Sequence, residues 1–216
     1  MIELALKTLF SYSLGALLGS VLLGRLTGRA DIRRLGSGNA GSTNALRTHG
    51  KLFALGVAVI DVGKGWLAAR IVPAVALPSS GAPAGLEHWM PAACGIAVML
   101  GHVYPLCSGF RGGKGVATFF GATLGLAPRL ALAPLAAWAS VLLATGYVGL
   151  ASILAAASLP LFITADGLAA QRPLLAFALF AAVLILLTHR ANIARMLDGR
   201  EPRARRPWQV GRRVPS

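Results

Sequence analysis

The placement of its apolar residues limits what this chain can fold into more than any motif does. Seven apolar runs, Leu4–Leu23, Leu52–Leu77, Trp89–Leu106, Val116–Leu126, Leu130–Ala144, Val148–Ile163 and Leu174–Leu187, are separated by segments that hold nearly all the charge. One pass through a bilayer takes about 20 apolar residues, within a range near 17–25. Some runs are shorter, so they are expected to be half-spanning or tilted inside a bundle. Pro128, Pro134 and Pro160 fall in the later half and suit kinked or broken helices. Of 216 residues, 56% are hydrophobic and 13% charged. A soluble domain carries about 25% charged residues, so lipid must cover most of this surface. The sequence predicts an all-α polytopic membrane protein.

The net charge of +14 raises the question of a nucleic-acid partner. Its distribution argues against one. Of 21 Lys and Arg, six lie in Arg25–Lys51, two in Arg111–Lys114 and eight in Arg190–Arg213. All three stretches flank apolar runs, as cytoplasmic loops do, and such loops are drawn to anionic headgroups. The intervening segment 78–88 carries Glu87 and neither Lys nor Arg, as an external loop should. Parity then requires an odd number of crossings. We expect seven transmembrane helices (five if neighbouring runs fuse), with the N-terminus outside and the C-terminus cytoplasmic. The first run lacks a small-x-small cleavage site and is expected to be retained. The loops are too short to hold a core. Residues 1–216 therefore read as one membrane domain, with 203–216 as a basic cytoplasmic tail. Cys94 and Cys107 have no CxxC spacing and read as packed or lipid-facing thiols.

Any chemistry must gather where the basic segments meet the bundle. The first segment runs Gly36, Ser37, Gly38, Asn39, Ala40, Gly41, Ser42, Thr43, Asn44, Ala45, Leu46, Arg47. Its closely spaced glycines let backbone N–H groups turn toward a common point, as in an anion nest. Ser37, Asn39, Ser42, Thr43 and Asn44 add neutral donors, and Arg47 adds a fork suited to phosphate. A plain linker would need none of these polar side chains. The second segment joins Gly101-His102-Val103-Tyr104-Pro105 to Phe110-Arg111-Gly112-Gly113-Lys114-Gly115-Val116-Ala117-Thr118. Gly112, Gly113 and Gly115 around Lys114 suggest a phosphate cradle leading into a helix N-terminus. This is not a nucleotide-binding P-loop, because the glycine spacing is one residue short and Gly115 stands where Ser or Thr would hold magnesium. The alternative is a basic turn tethered to headgroups.

The third segment, Thr188 to Pro202, carries His189, Asn192 and Arg195 at i, i+3 and i+6. On a continuous helix they would share one face and offer an imidazole that titrates near neutrality. A lone interfacial histidine is as readily structural. Inside the second apolar run, Asp61 and Lys64 lie one turn apart, about 15 Å beyond Lys51 at helical rise. Charge at that depth turns inward, either as an ion pair locking the bundle or as the floor of a site.

Together these stretches resemble the bacterial acyl-phosphate-dependent glycerol-3-phosphate acyltransferases, the PlsY family. The resemblance rests on Gly36–Arg47, Asp61–Gly65, Gly101–Thr118 and His189–Glu201, in the family's order and spacing. It implies seven membrane helices in the cytoplasmic (inner) membrane of a bacterium, with the site facing the cytoplasm. It further implies transfer of a fatty acyl group from acyl-phosphate to the 1-hydroxyl of glycerol 3-phosphate. The products would be lysophosphatidic acid and phosphate. Catalytic roles would fall to Ser37, Arg47, Lys114, His189 and Asn192. Substrate binding would fall to Gly36, Gly38, Asn39, Thr43, Asn44, His102, Gly112, Gly113 and Gly115, and structural support to Glu201 with Asp61 and Lys64. The soluble enzyme that makes acyl-phosphate is an expected partner.

The absences fit that chemistry. Acyl-phosphate is already an activated anhydride, so no cofactor, metal or thiol nucleophile is expected, and no CxxC, HExxH or GxSxG arrangement occurs. The HxxxxD acyltransferase pattern is missing too: His49, His88, His102 and His189 are followed five residues on by Ala54, Ala93, Cys107 and Ala194. The competing class is a membrane carrier or channel for phosphate or a phosphorylated solute. Such carriers commonly show internal repeats, and none is evident here.

Overall fold

The computed structural model describes residues 1–77, 85–165, 167 and 171–204. Most of the expected external loop (78–84) and of the basic tail (205–216) lies outside them. Among the described residues all regular structure is helical. The elements are α1 (Ile2–Ala16), α2 (Gly19–Leu26), α3 (Ser42–His49), α4 (Lys51–Trp66), α5 (Met90–Val103), α6 (Val116–Leu126), α7 (Leu132–Thr145), α8 (Val148–Ala165), α9 (Arg172–Thr188) and α10 (Arg190–Leu197).

Each apolar run became a helix or a bent helix pair. Three helical stretches, Lys51–Ala74, Glu87–Ser108 and Val148–Ala165, are long and apolar enough to cross a membrane. There are up to five when α1 with α2 (bent 53°) and α9 with α10 (bent 54°) are each taken as one span. Helices α6 and α7 are shorter. Leu6, Leu9, Leu52, Leu55, Leu161 and Val183 are among many large apolar side chains left exposed on the outer faces. That band suits lipid and would be a liability in water.

Lipid tails are as apolar as leucine, so helices in a bilayer associate through close packing of small residues. Two reciprocal glycine contacts do this here. A Cβ on Gly15 of α1 would overlap the carbonyl of Val98 on α5, and one on Gly101 of α5 would overlap that of Tyr12 on α1. Between α4 and α6, Gly65 sits on the Thr118 carbonyl and Gly121 on that of Val62. The main apolar core joins α5, α6, α8 and α9. At its centre Phe119 and Phe177 stack with ring centroids 6.3 Å apart.

The breaks are where partners from other helices take over. Between α1 and α2 the freed carbonyls of Gly15 and Leu17 each accept from Lys64 Nζ at 2.9 Å, and the Gly19 N–H donates to Asp61 Oδ1 at 3.3 Å. The Asp61–Lys64 pair itself closes at 2.8 Å. It therefore caps a broken helix as well as pairing charge.

Candidate active site

The first glycine-rich segment is folded by Asn44. Its Nδ2 donates to the carbonyls of Ile32, Leu35 and Asn39 at 2.9–3.0 Å, and its Oδ1 accepts the Ser37 N–H at 2.9 Å. Gly36 and Gly38 adopt positive φ (57° and 72°) to make the turn, and a Cβ on Gly36 would strike Asn44 Oδ1. The simple nest expected from the glycines is thus modified. The Ser37 and Gly38 N–H groups are spent inside the loop, on Asn44 and on the Leu35 carbonyl. Asn44, with both polar ends engaged, shapes the loop and has no free donor for a ligand. What the loop offers instead is the first turn of α3, where Gly41, Ser42 and Thr43 face a cavity with N–H groups that have no helical acceptor.

The second segment folds over His102. The Gly113 N–H donates to the His102 carbonyl at 3.0 Å. Side chains at Gly112 or Gly113 would collide with the carbonyl or the ring of that histidine. Gly115, at φ 85°, turns the chain into α6. Thr188 Oγ1 donates to the Lys114 carbonyl at 3.1 Å, tying the loop to the end of α9.

The third segment departs from the expected continuous helix. The chain turns by 54° at His189, whose N–H bonds back to the Ile185 and Leu186 carbonyls, both at 3.1 Å. The reason is local. His189 Nδ1 also lies 2.8 Å from the Ile185 carbonyl, and a carbonyl only accepts, so Nδ1 carries the proton and Nε2 keeps its lone pair. Past the bend, Asn192 packs on Gly149 of α8, where a side chain would crowd it. Asn192 Oδ1 accepts from Lys114 Nζ, while its Nδ2 donates to Glu201 Oε1 at 2.6 Å. Glu201 also accepts from Arg195 Nε at 2.6 Å. The chain then returns to the α7–α8 turn, where the Ala204 N–H donates to the Gly146 carbonyl at 2.8 Å and the Arg203 guanidinium covers the Tyr147 ring.

These three segments, far apart in sequence, meet at one inner cavity of about 270 Å³, lined by Ser37, Asn39, Thr43, Arg47, Lys114 and His189 among others. Gly115, Val116 and Ala117 bring the N-terminus of α6 to the same space. Asp61 and His102 lie on its lining as well, and Asp61 Oδ2 makes no hydrogen bond among the described residues. An outer cavity of about 690 Å³ shares Ser37, Asn39 and Lys114 with the inner one and adds Arg33, Arg34, Arg111 and Arg190. Gly38, Gly112 and Gly113 line the outer cavity; Gly36, Lys64, Asn192 and Glu201 line neither. Burial pushes the Lys114 ammonium down to about 8, helped by Arg195 and Arg47 and opposed by Glu201. Two helix N-termini and two cations around one small space have the chemistry that phosphate-bearing ligands need. Among the described residues no cluster of His, Cys, Asp and Glu could hold a metal.

Sequence reasoning missed the α7–α8 wall of the inner cavity. Leu135 and Trp138 of α7, with Val148, Gly149 and Ser152 of α8, complete the inner cavity, and Trp138 Nε1 donates to Ser152 Oγ at 3.3 Å. These residues sit inside apolar runs. Only Ser152, a hydroxyl amid alanines and leucines, gave any signal.

Known proteins are similar to this chain over most of its length. The family model described as glycerol-3-phosphate acyltransferase matches residues 5–199. A glycerol-3-phosphate acyltransferase of Synechococcus sp. (strain CC9902) is 40% identical over 203 residues, covering 92% of this chain and 96% of that protein. One from Geobacter sulfurreducens is 39% identical, covering 94% and 98%. The crystal structure of PlsY, an integral membrane glycerol 3-phosphate acyltransferase, in its glycerol 3-phosphate form superposes with a TM-score of 0.84 at 35% identity over 97% of this chain and 99% of that one. Its lysophosphatidic acid form gives 0.79 at 36% identity over 93% and 94%. With fold and sequence agreeing over more than nine-tenths of its length, this chain belongs to the glycerol-3-phosphate acyltransferase family.

Proposed function

We propose that this protein transfers a fatty acyl group from acyl-phosphate to the 1-hydroxyl of glycerol 3-phosphate, releasing phosphate and forming lysophosphatidic acid. The observation that carries the reading is the convergence of Arg47, Lys114 and the first turns of α3 and α6 on one cavity. Donor and acceptor each bring a phosphate. Two cations and two sets of N–H groups match that demand, and holding both ligands replaces a bimolecular encounter by a positioned one.

The glycerol oxygen attacks the acyl carbonyl carbon, the carbon–oxygen bond to phosphate breaks, and the hydroxyl proton leaves. His189, which lines the cavity and keeps a lone pair on Nε2, or the donor's own phosphate accepts that proton. Lys114, Arg47 and the helix N–H groups steady negative charge gathering on the carbonyl oxygen and the departing phosphate. Asn192 and Ser37 orient these groups. Phe120, Leu135 and Trp138 form an apolar wall between α6 and α7, which suits the first carbons of an acyl chain arriving from the bilayer. The arginines of the outer cavity favour a cytoplasmic aspect at a bacterial inner membrane by the positive-inside rule. Counting α6 and α7 as short crossings gives the seven-crossing topology, with the N-terminus outside.

The purified protein should convert acyl-phosphate and radiolabelled glycerol 3-phosphate to labelled lysophosphatidate. Uptake of label into proteoliposomes with no lipid product would replace this reading by a carrier.

A further inference from the structure

The wall that α7 gives the inner cavity is its least firmly packed part. Leu135 and Trp138 line the cavity, yet α7 supplies no residue of the main apolar core. Of its residues only Pro134 is buried, while Leu132, Leu135 and Leu143 are exposed. Leucines that face lipid favour no one position, because lipid tails are as apolar as they are. The helix packs chiefly on α8. Where Leu135 and Trp138 stand is therefore set by that pair, through the Trp138–Ser152 bond and the α7–α8 turn.

The turn is closed by its own chain and then held from outside. Gly146, at φ 76°, donates its N–H to the Leu142 carbonyl at 2.8 Å, and the Tyr147 N–H donates to Thr145 Oγ1 at 3.1 Å. What remains, the Gly146 carbonyl and the face of the Tyr147 ring, is taken by residues 203 and 204. The Ala204 N–H donates to that carbonyl at 2.8 Å, and the Arg203 guanidinium carbon lies 4.8 Å from the ring centroid. A Cβ on Gly146 would come within 3.3 Å of the Arg203 Cβ, so the segment lies tight over the turn. Its other end is no looser. The Arg200 and Glu201 N–H groups both donate to the Arg195 carbonyl, at 2.7 and 3.0 Å, and the Glu201 carboxylate is held by Asn192 and Arg195. Only Pro202, with φ fixed by its ring, separates the two ends. Since Asn192 also holds Lys114, residues 201–204 strap the support of the ammonium to the cavity wall.

We infer that Arg203 and Tyr147 are positioning residues for the acyl donor. Their contact sets the distance between the α7–α8 wall and Lys114, and so the fit of a fatty acyl chain whose phosphate end is held at the cations. This rests on the acyl-transfer reading above. Neither residue lines the inner or the outer cavity, and Arg203 lies beyond residues 5–199 that the family model matches. The ligand that feels the strap is a long-chain acyl-phosphate, because it reaches from the cations to the apolar wall.

The test compares donors of different chain length in full-length variants. Arg203 is exposed and Tyr147 half-buried, so replacing either removes no core packing. In Arg203→Gln and in Tyr147→Leu, KM for a long-chain acyl-phosphate should rise about two- to thirtyfold, the worth of one cation–π contact. KM for glycerol 3-phosphate should stay as it is. Arg203→Lys and Tyr147→Phe keep a cation over a ring and should hold the donor KM within about twofold of wild type. The double variant Arg203→Gln with Tyr147→Leu should be no worse than the poorer single one, since both lose the same contact. The rise should also shrink as the donor's chain is shortened. A strap that only staples the chain end predicts otherwise: both KM values move together, the melting temperature in detergent falls with them, and short donors suffer as much as long ones. That pattern overturns the inference, and so does an unmoved donor KM in both single variants. If wild type makes no lysophosphatidate from any donor, the reaction assigned above fails; if wild type is active and the variants match it, this inference alone fails.

Discussion

Lys114 and Asn192, 78 residues apart in sequence, share a hydrogen bond from the lysine Nζ to the amide Oδ1. The bond fixes one end of a chain of contacts, Lys114 to Asn192 to Glu201 to Arg195, that holds the ammonium at the boundary of the two cavities. With its pKa pushed down to about 8, mainly by burial, Lys114 is charged at pH 7 and loses that charge as pH rises through that value. The pH profile of kcat/KM, which reports the free enzyme, should therefore fall on its alkaline side near pH 8. In Lys114→Arg, whose guanidinium stays charged, that limb should vanish while the overall rate drops. A profile flat to pH 10 in the wild type would remove Lys114 from the rate-determining charge.

Glu201 lines neither the inner nor the outer cavity, yet it raises the Lys114 pKa and holds the Asn192 amide. Glu201→Gln keeps the shape and removes the charge. The alkaline limb should then move to lower pH, because the group opposing burial is gone. A limb that stays in place would mean Glu201 acts only through packing.

Asn192→Ala deletes the acceptor for Lys114 and leaves Glu201 short of a donor. Misplacing a charged group by about 1 Å costs on the order of 10²-fold in rate, and that loss is expected here with little change in thermal stability. Steady-state assays beside thermal unfolding in detergent would show it. An equal fall in stability would make the residue a packing element.

Much of the fold was legible because bilayer physics writes itself into composition. The apolar run Val116–Leu126 is α6 itself, and Val148–Ile163 differs from α8 by two residues. The bends were not legible. Leu4–Leu23 reads as one continuous span, and its break depends on Lys64 and Asp61 arriving from another helix. The bend at His189 was hidden for a related reason, since it comes with a side-chain bond from His189 back onto the Ile185 carbonyl. Several residues that line the inner cavity were readable from their types and spacing. Their division of labour was not: Asn44 looks like a ligand donor until its three carbonyl partners are known.

The α4–α6 contact gives a stability test that needs no substrate. Gly121→Ala would press a methyl into the Val62 carbonyl, and overpacking of that kind costs about 1–3 kcal/mol. Gly63→Ala, on the same helix pair but with open space around it, should be neutral or slightly stabilising, since alanine favours helix by up to about 1 kcal/mol over glycine. Thermal unfolding in detergent compares the two. Equal melting temperatures would mean α4 and α6 are not held at this distance.

His189 is the residue for which geometry makes the sharpest kinetic prediction. Its Nδ1–H is committed to the Ile185 carbonyl, which leaves Nε2 as an acceptor, and the ring is 3% exposed while lining the inner cavity. If Nε2 takes the glycerol hydroxyl proton, His189→Ala should lower kcat by about 10²–10⁴ with a smaller effect on KM. His189→Asn can keep the bond to Ile185 through an amide nitrogen in the place of Nδ1 but supplies no base, so it should be as slow as the alanine variant. An Asn variant near wild-type rate would show that the ring only positions substrate. The proton would then go to the departing phosphate, and the rate should follow the basicity of that phosphate in a series of donor analogues.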